Sequence, residues 1–250
     1  MTAVEPVPGT SAAVVTAAGQ RLLVVADYHA GIEAVLRSRG VELDSGAPGR
    51  RERLLGLVAE TGADRLVVLG DLTHAVGDPW DAEREELAAL FDALGVPTLL
   101  VKGNHDGEIE PAVEELAADV TVTPAAGTRV GGVGFAHGHT WPSPEVLAAE
   151  TVCTAHEHPV VRLEDEVGGG RRERAWLRGS LDATPFHEYH GHGTDVGGEL
   201  VVFPAFNDTS GGTWVNVDGQ DFLSPFLPEG LVNGQAYLLD GTRLGRYDRV

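Results

Sequence analysis

The sequence predicts an α/β fold in which two sheets pack face to face with helices outside. Three observations lead there. In the first half, short apolar runs alternate with longer amphipathic ones in the order β-α-β-α-β, which argues for a parallel sheet with right-handed crossovers. After residue 120 the pattern changes to short strands separated by glycine-rich turns. The 250 residues, 42% of them hydrophobic, suffice for one domain over 1–250 with a sizeable core.

The elements follow in order. "RLLVVAD" (21–27), "RLVVLGD" (65–71) and "PTLLVKGN" (97–104) are continuous apolar runs of strand length. Between them, "RRERLLGLVAET" (50–61) and "WDAEREELAALFDALG" (80–95) carry helical periodicity, the second with Asp81 as its expected N-cap and Gly95 as its C-cap. "VTVTP", "TRVGGVGFAHG", "TVCTAHEH", "PVVRLE", "RAWLRGS" and "ELVVFPAF" read as the strands of the second half. One helix interrupts them, "SPEVLAAE" (143–150), with Ser143 as cap and Pro144 in the first turn. "GGGRRER" (168–174) reads as a polar loop between two strands, and the Gly- and His-rich segment 182–198 as a longer loop. The C-terminal stretch 235–250 reads as a hairpin turning on Asp240–Gly241.

Composition excludes several classes. No run approaches the ~20 apolar residues of a membrane span. The N-terminus lacks a basic segment followed by an apolar one, so a cytoplasmic location is expected. The single cysteine, Cys153, excludes an internal disulfide framework and reads as a small core residue. Acidic residues number 38 against 18 basic, of which only Lys102 is lysine, for a net charge of −20. Such self-repulsion favours a salt-rich, halophilic setting, where the Debye length falls to ~3 Å at 1 M. It disfavours indiscriminate binding to long nucleic acid.

Five apolar runs end in residues suited to metal coordination: Asp27-Tyr28-His29, Gly70-Asp71, Gly103-Asn104-His105-Asp106, His137-Gly138-His139 and His156-Glu157-His158. Open α/β sheets place their sites at the carboxyl ends of strands, so these groups are expected to converge. In Asp27-x-His29 and His156-x-His158 the paired residues are i and i+2, which extended backbone would place on one face. The set contains imidazole, carboxylate and amide but no thiolate, which suits Mn, Fe, Zn or Ni better than Ca. Seven or eight such groups exceed one tetrahedral site, whereas two metals sharing a carboxylate would use them all. The glycines before Asp71 and Asn104 allow tight turns and close approach.

The ordered motifs D-x-H, G-D, G-N-H-D, H-G-H and H-x-H resemble those of the calcineurin-like metallophosphoesterase superfamily. Within it, "ADYHAG", "VLGDLTH", "VKGNHD", "AHGHTW", "AHEHP" and "FPAFNDTSGGTWVN" look most like archaeal phosphoesterases related to the nuclease SbcD/Mre11. The resemblance spans about residues 21–216 and implies a four-layer α/β/β/α sandwich with a two-metal site, manganese being the first expectation. It implies Asp27, His29 and His158 on one metal, Asn104, His137 and His156 on the other, Asp71 bridging them, and His105 as the acid that protonates the leaving oxygen. Ala155 stands where the family has glycine, and Tyr28 where leucine is commoner; neither removes a ligand. The implied activity is phosphodiester hydrolysis by a metal-bridging hydroxide, on nucleotides or nucleic-acid ends. Two divalent ions, two aspartates and one hydroxide leave a charge near +1, which suits a diester oxyanion.

Other residues keep two readings each. Asp106 either orients His105 or caps a helix beginning near Glu110. His139 contacts substrate or serves structure, and His74 reaches a substrate phosphate or occupies a turn. His187, His190 and His192 form a solvated loop or an extra metal site. Rival functions are a phosphomonoesterase or protein phosphatase, and a metal-bearing scaffold for protein partners; an intact His105 speaks against the scaffold. Only about 34 residues follow the last motif, so the DNA-capping region of the Mre11-type nucleases is not expected.

Overall fold

The computed structural model describes residues 4–164 and 169–250. The first sheet has six strands in spatial order: β1 (Val4–Pro6), β2 (Ala12–Ala17), β3 (Gln20–Ala26), β4 (Arg65–Leu69), β5 (Thr98–Val101) and β6 (Val120–Thr123). β1, β2 and β3 pair antiparallel, and β3 through β6 pair parallel. Each parallel step needs a crossover. These run through α1 (Ile32–Ser38) and α2 (Ala47–Thr61), then α3 (Asp81–Ala93), then α4 (Ile109–Glu115).

The second sheet comprises β7 (Thr128–Val130), β8 (Val133–Phe135), β9 (Thr151–Thr154), β10 (Val160–Glu164), β11 (Gly170–Leu181), β12 (Glu199–Val202), β13 (Leu231–Leu238) and β14 (Arg243–Arg246). Its order is β14-β13-β11-β12-β9-β8-β7, with β10 paired to the far half of β11. The helices α5 (Pro144–Leu147) and α6 (Ala183–His190) lie on its outer side.

Three cores define four layers. Successive residues of β3 alternate between two of them, as period-2 geometry requires. Leu22, Val24 and Ala26 enter the core between the sheets, where they join Phe135, Cys153, Trp176 and Phe203. Leu23 and Val25 enter the core under α2, α3 and α4. On the second sheet, Cys153 and Trp176 face inward, while Val152, Ala175 and Leu177 pack under Val146, Leu147 and Phe186 of α5 and α6. The buried thiol of Cys153 is pushed well above its ordinary range by desolvation, which fits the core role.

Several local expectations are corrected. Helix α3 is capped at Trp80, whose backbone N–H donates to Glu83 Oε2 at 2.6 Å, so Asp81 is its first residue. It ends at Ala93 with Leu94 extended, one residue before Gly95. Residues 170–174 belong to β11 rather than to a loop, and Gly168 lies outside the described residues. The segment 182–198 contains α6, capped by Asp182 Oδ1, which accepts from Thr184 N–H at 2.8 Å. Ser143 does cap α5. The C-terminal hairpin is present with Gly241 at φ 90°, although its first strand begins earlier, at Leu231, and a 3-10 turn over Tyr247–Arg249 follows its second. The β1–β2 hairpin and α1 had no strong signal in the sequence. Among the described residues no helix is long and apolar enough to cross a membrane.

Candidate metal centre

The polar motifs follow directly on the carboxyl ends of β3, β4, β5, β8 and β9. They meet at one end of the sandwich because β3, β4 and β5 run parallel, as do β8 and β9. Three groups of ligand atoms form there, each within 4.8 Å: Asp27, His29 and His158; Asp71, His137 and His156; and His29, His74 and His105. Asp71 Oδ2 lies 3.8 Å from His29 Nε2 and 3.5 Å from His137 Nε2, so it stands between the first two groups. Asn104 Oδ1 is 3.2 Å from His137 Nε2. His29, Asp71, Asn104, His156 and His158 line a cavity of 530 Å³, and Asp27 and His137 are buried behind them. A larger hollow of 700 Å³, lined by Pro6, Trp176, Arg178 and Tyr237, contains none of them.

The i, i+2 spacing works differently from the extended geometry expected for it. Asp27 (φ 54°), His29 (φ 50°), Asp71 (φ 50°), His156 (φ 69°) and His158 (φ 45°) all adopt left-handed backbone, and they are five of the eight non-glycine residues that do among the described residues. Each such residue costs about 1–3 kcal/mol and persists only where its surroundings over-determine it. The chain therefore coils tightly after β3, β4 and β9. Gly70 and Gly103 make that possible: a Cβ on Gly70 would stand 2.3 Å from His137 Nδ1, and one on Gly103 would stand 2.1 Å from Asp71 Oδ1.

The surroundings that enforce these turns include residues the motifs did not reveal. Asn207, buried after β12, donates from Nδ2 to Tyr28 O at 3.0 Å and to His29 O at 3.3 Å, while its backbone N–H donates to Asp27 O. The next residues reach the other motif, since Gly211 O lies 3.2 Å from His158 Nδ1. Glu157 is buried and accepts from Leu223 and Ser224 N–H and from Thr213 Oγ1. Glu83 accepts from His74 and Ala75 N–H at 2.7 Å. Glu86 accepts from Gly31 N–H at 2.8 Å and pairs with Arg50, which lies 5.3 Å from the Tyr28 ring centroid. Tyr28 itself turns away from the ligands and stacks on Phe206. A signal for Glu83 existed: it shares the helix face of Leu87 and Leu90, where an acid is unexpected. Asn207 lies in the run "FPAFNDTSGGTWVN", part of the family resemblance, but its turn composition did not single it out.

Asp106 takes neither of its two expected roles. Its Oδ1 accepts from Leu72 and Thr73 N–H, and its Oδ2 accepts from Gly103 N–H at 2.9 Å, so it ties the loops after β4 and β5 together. Helix α4 starts after Glu108. The imidazole of His105 instead meets the His74 carbonyl through Nδ1, with Nε2 3.8 Å from Asp71 Oδ2. His74 stacks on His105 and places Nδ1 3.3 Å from His29 Nδ1. His139 lies beside His137 and His156, and its Nδ1 is buried without a hydrogen-bond partner. His187 and His190 contact the carbonyls of Thr194 and Pro142; the described residues show no metal-binding group around them or His192.

The electrostatics are those of a site short of positive charge. Both oxygens of Asp27 are buried and accept no hydrogen bond; His158 Nε2 stands 3.1 Å away. A buried carboxylate in that state is costly without a cation. Burial raises Asp27, but the imidazoles of His158 and His137 outweigh it and hold the group low. Asp71 is likewise far below the ordinary carboxylate range, burial being opposed by His137, His29 and His105. Burial pulls His29 down to about 3 and His74, His139 and His156 down to about 4, so these rings are neutral and free to donate lone pairs at neutral pH. Burial lowers His137 too, but Asp71 and Asp27 push it up to about 9. Its Nδ1 lies 2.7 Å from the Leu69 carbonyl, which turns Nε2 toward Asp71 and Asn104. The donor set, the orphaned carboxylate and the neutral imidazoles all fit divalent cations.

Comparison with known proteins agrees with this chemistry. The family model described as calcineurin-like phosphoesterase matches residues 20–214. Among solved structures, the nuclease MPE of Pseudomonas putida is similar over 97% of this chain and 100% of that one, with 20% identity and a TM-score of 0.57. Yfce, a phosphoesterase from E. coli, is matched over 58% of this chain and 73% of that one, with 20% identity and a TM-score of 0.34. Comparison with curated protein sequences finds no match. With strand-end histidines and aspartates gathered at one cavity and the family model covering most of its length, the chain belongs to the calcineurin-like phosphoesterases and is a metal-dependent phosphoester hydrolase.

Proposed function

We propose that this protein hydrolyses phosphodiesters of nucleotides or nucleic acid at a pair of divalent cations, manganese first, with His105 protonating the leaving oxygen. The observation that carries this reading is the adjoining groups of Asp27, His29 and His158 and of Asp71, His137 and His156, joined by the approach of Asp71 to His29, at one open cavity. Asp27, His29 and His158 would hold one cation, Asn104, His137 and His156 the other, and Asp71 both. When bound, such a pair acidifies water and withdraws charge from a phosphoryl oxygen.

The chain's own groups supply the rest. The backbone N–H of His105 donates to Asp71 Oδ1 at 3.0 Å, which fixes the carboxylate and leaves Oδ2 facing His29 and His137. The His74 carbonyl holds His105 through Nδ1, so Nε2 faces the cavity near Asp71. A proton on that nitrogen is poised for the departing alkoxide. His74 lines the same space and His139 lies beside His137 and His156; both are the candidates for contact with substrate oxygens. Two carboxylates against two dications leave an excess suited to a monoanionic diester. The likeness of the motifs to the SbcD/Mre11-related group favours nucleic-acid ends.

The test is a panel at molar salt with manganese: bis-p-nitrophenyl phosphate, p-nitrophenyl phosphate, cyclic nucleotides and single-stranded DNA, alongside metal analysis. Diester turnover without monoester turnover, at two equivalents of metal, is expected. Monoester preference would make the protein a phosphomonoesterase. Two bound metals with no turnover would favour a binding role, and a single equivalent would overturn the dinuclear assignment.

A further inference from the structure

The metal cavity continues into two further hollows along the β10–β11 hairpin. It shares His158, Ser210 and Gly211 with a hollow of 240 Å³ lined by Arg172 and Arg174. It shares Gln220 with one of 660 Å³ lined by Arg162, Arg172 and Trp214. In the hairpin register, Arg162 opposes Arg172 and Val160 opposes Arg174. Directly opposed residues and residues two apart share a face of a strand pair, so Arg174, Arg172 and Arg162 form one row. Its members along β11 are spaced by about 7 Å.

That row is unfavourable by itself. Like charges directly opposite destabilise a strand pair. Arg162 pairs with Glu164, both exposed, and Arg174 shares Asp208 with Arg53. Arg172 reaches the Ser210 carbonyl at 3.3 Å and forms no ion pair among the described residues. Around these hollows Arg53, Arg162, Arg171, Arg172 and Arg174 meet Glu164, Glu173, Asp208 and, on the cavity rim, Asp221. Four of these arginines lie on one hairpin of a chain whose 38 acidic residues outnumber its 18 basic ones. Trp214, half-buried, stands outside all three hydrophobic cores and lines the outer hollow with these arginines.

From this juxtaposition we infer that the β10–β11 face is a track for a single-stranded polynucleotide, with Arg172 and Arg162 on successive phosphates and Trp214 stacked on a base beyond the scissile bond. The inference rests on the phosphodiesterase reading and extends it to a substrate several nucleotides long. A duplex keeps its bases stacked inside, whereas a single strand offers them to an aromatic face. The acidic remainder of the surface then repels nucleic acid everywhere except along this path.

The experiment compares the wild type with the double variant Arg162→Ala/Arg172→Ala and with Trp214→Ala. Each is assayed with manganese on a 12-nucleotide oligothymidylate and on bis-p-nitrophenyl phosphate, at the lowest salt that preserves the native circular dichroism. Oligomer binding is read in parallel by fluorescence anisotropy. The double variant is expected to lose at least about tenfold in kcat/KM on the oligomer, with the small diester changed less than twofold, which also shows that the fold survives. Its slope of log binding constant against log salt should shrink by about 1.4, two single-strand phosphate contacts. Trp214→Ala should lose roughly 5- to 100-fold on the oligomer, the usual worth of one stacked base. Unchanged oligomer turnover and binding, or equal losses on both substrates, would overturn the track. A wild type that cleaves neither substrate refutes the phosphodiesterase reading instead, and anisotropy still decides the track.

Discussion

Gly103→Ala isolates the close approach on which the site depends. Gly103 is not in the left-handed region, so the substitution adds no backbone strain. Its only effect is the new methyl, which would meet Asp71 Oδ1 at 2.1 Å, Asp71 N at 2.4 Å and Asp71 Cγ at 2.9 Å. Two of these are the carboxylate of Asp71 and the third is backbone, so rotation of a flexible side chain cannot relieve all of them. Relaxed contacts need ~3.5 Å or more, so the loops after β4 and β5 must separate by about 1 Å. Overpacking of this kind costs about 1–3 kcal/mol. At about 2–4 °C per kcal/mol for a chain of this size, Tm should fall by roughly 2–12 °C. Activity should suffer more, because a 1 Å misplacement of a reacting group can cost about 10²-fold. Scanning calorimetry, metal analysis and diester kcat/KM on the same preparation measure all three. Gly107→Ala is the control, since a Cβ there meets nothing within 4 Å. A Gly103→Ala protein with wild-type Tm, full metal content and normal turnover would refute the reasoning.

Other predictions concern the proton donor, pH and salt. His105→Ala should lower kcat by about 10²–10⁴ on a diester with a poor leaving group while metal content stays near normal; loss of metal would make His105 a ligand instead. In metal-free protein, His29, His74, His139 and His156 stay neutral down to about 3 or 4, whereas the unfolded chain takes up those protons near 6.5. Their contribution to stability is therefore intact above about pH 6.5 and falls as pH drops toward about 4; Asp106, pushed up to about 6 by burial and Asp71, offsets one of the four. Tm in EDTA should decline between pH 6.5 and 4.5, and a flat or rising trace would contradict the placement of those rings. With a net charge of −20, Tm should rise between 0.1 and 2 M sodium chloride as repulsion is screened; a fall would remove the case for salt adaptation.

What the chain's order of residues determined alone was the alternation of buried runs and the polar group that ends each of five of them. Continuous runs such as Leu22–Ala26 carry their own signal, because a strand covered on both faces has no polar side. The ligand-type residues were legible for a related reason: aspartate, asparagine and histidine after such runs have no role in a core. The path of the backbone between them was not. Left-handed turns at Asp27, His29 and His158 are held by contacts remote in sequence: Asn207 holds the carbonyls of Tyr28 and His29, 179 and 178 residues away, and Gly211 meets the His158 imidazole, 53 residues away. The same holds for Asp106, whose three backbone donors come from two different loops. Helix α6 was hidden by glycine and histidine composition, and the first residues of β11 by glycine and arginines, whose row exists only once β10 lies beside it. Local propensity acts over a few residues, while charge, burial and close approach act wherever the fold brings groups together. Tertiary structure alone therefore decided how the site is held and which surface leads to it.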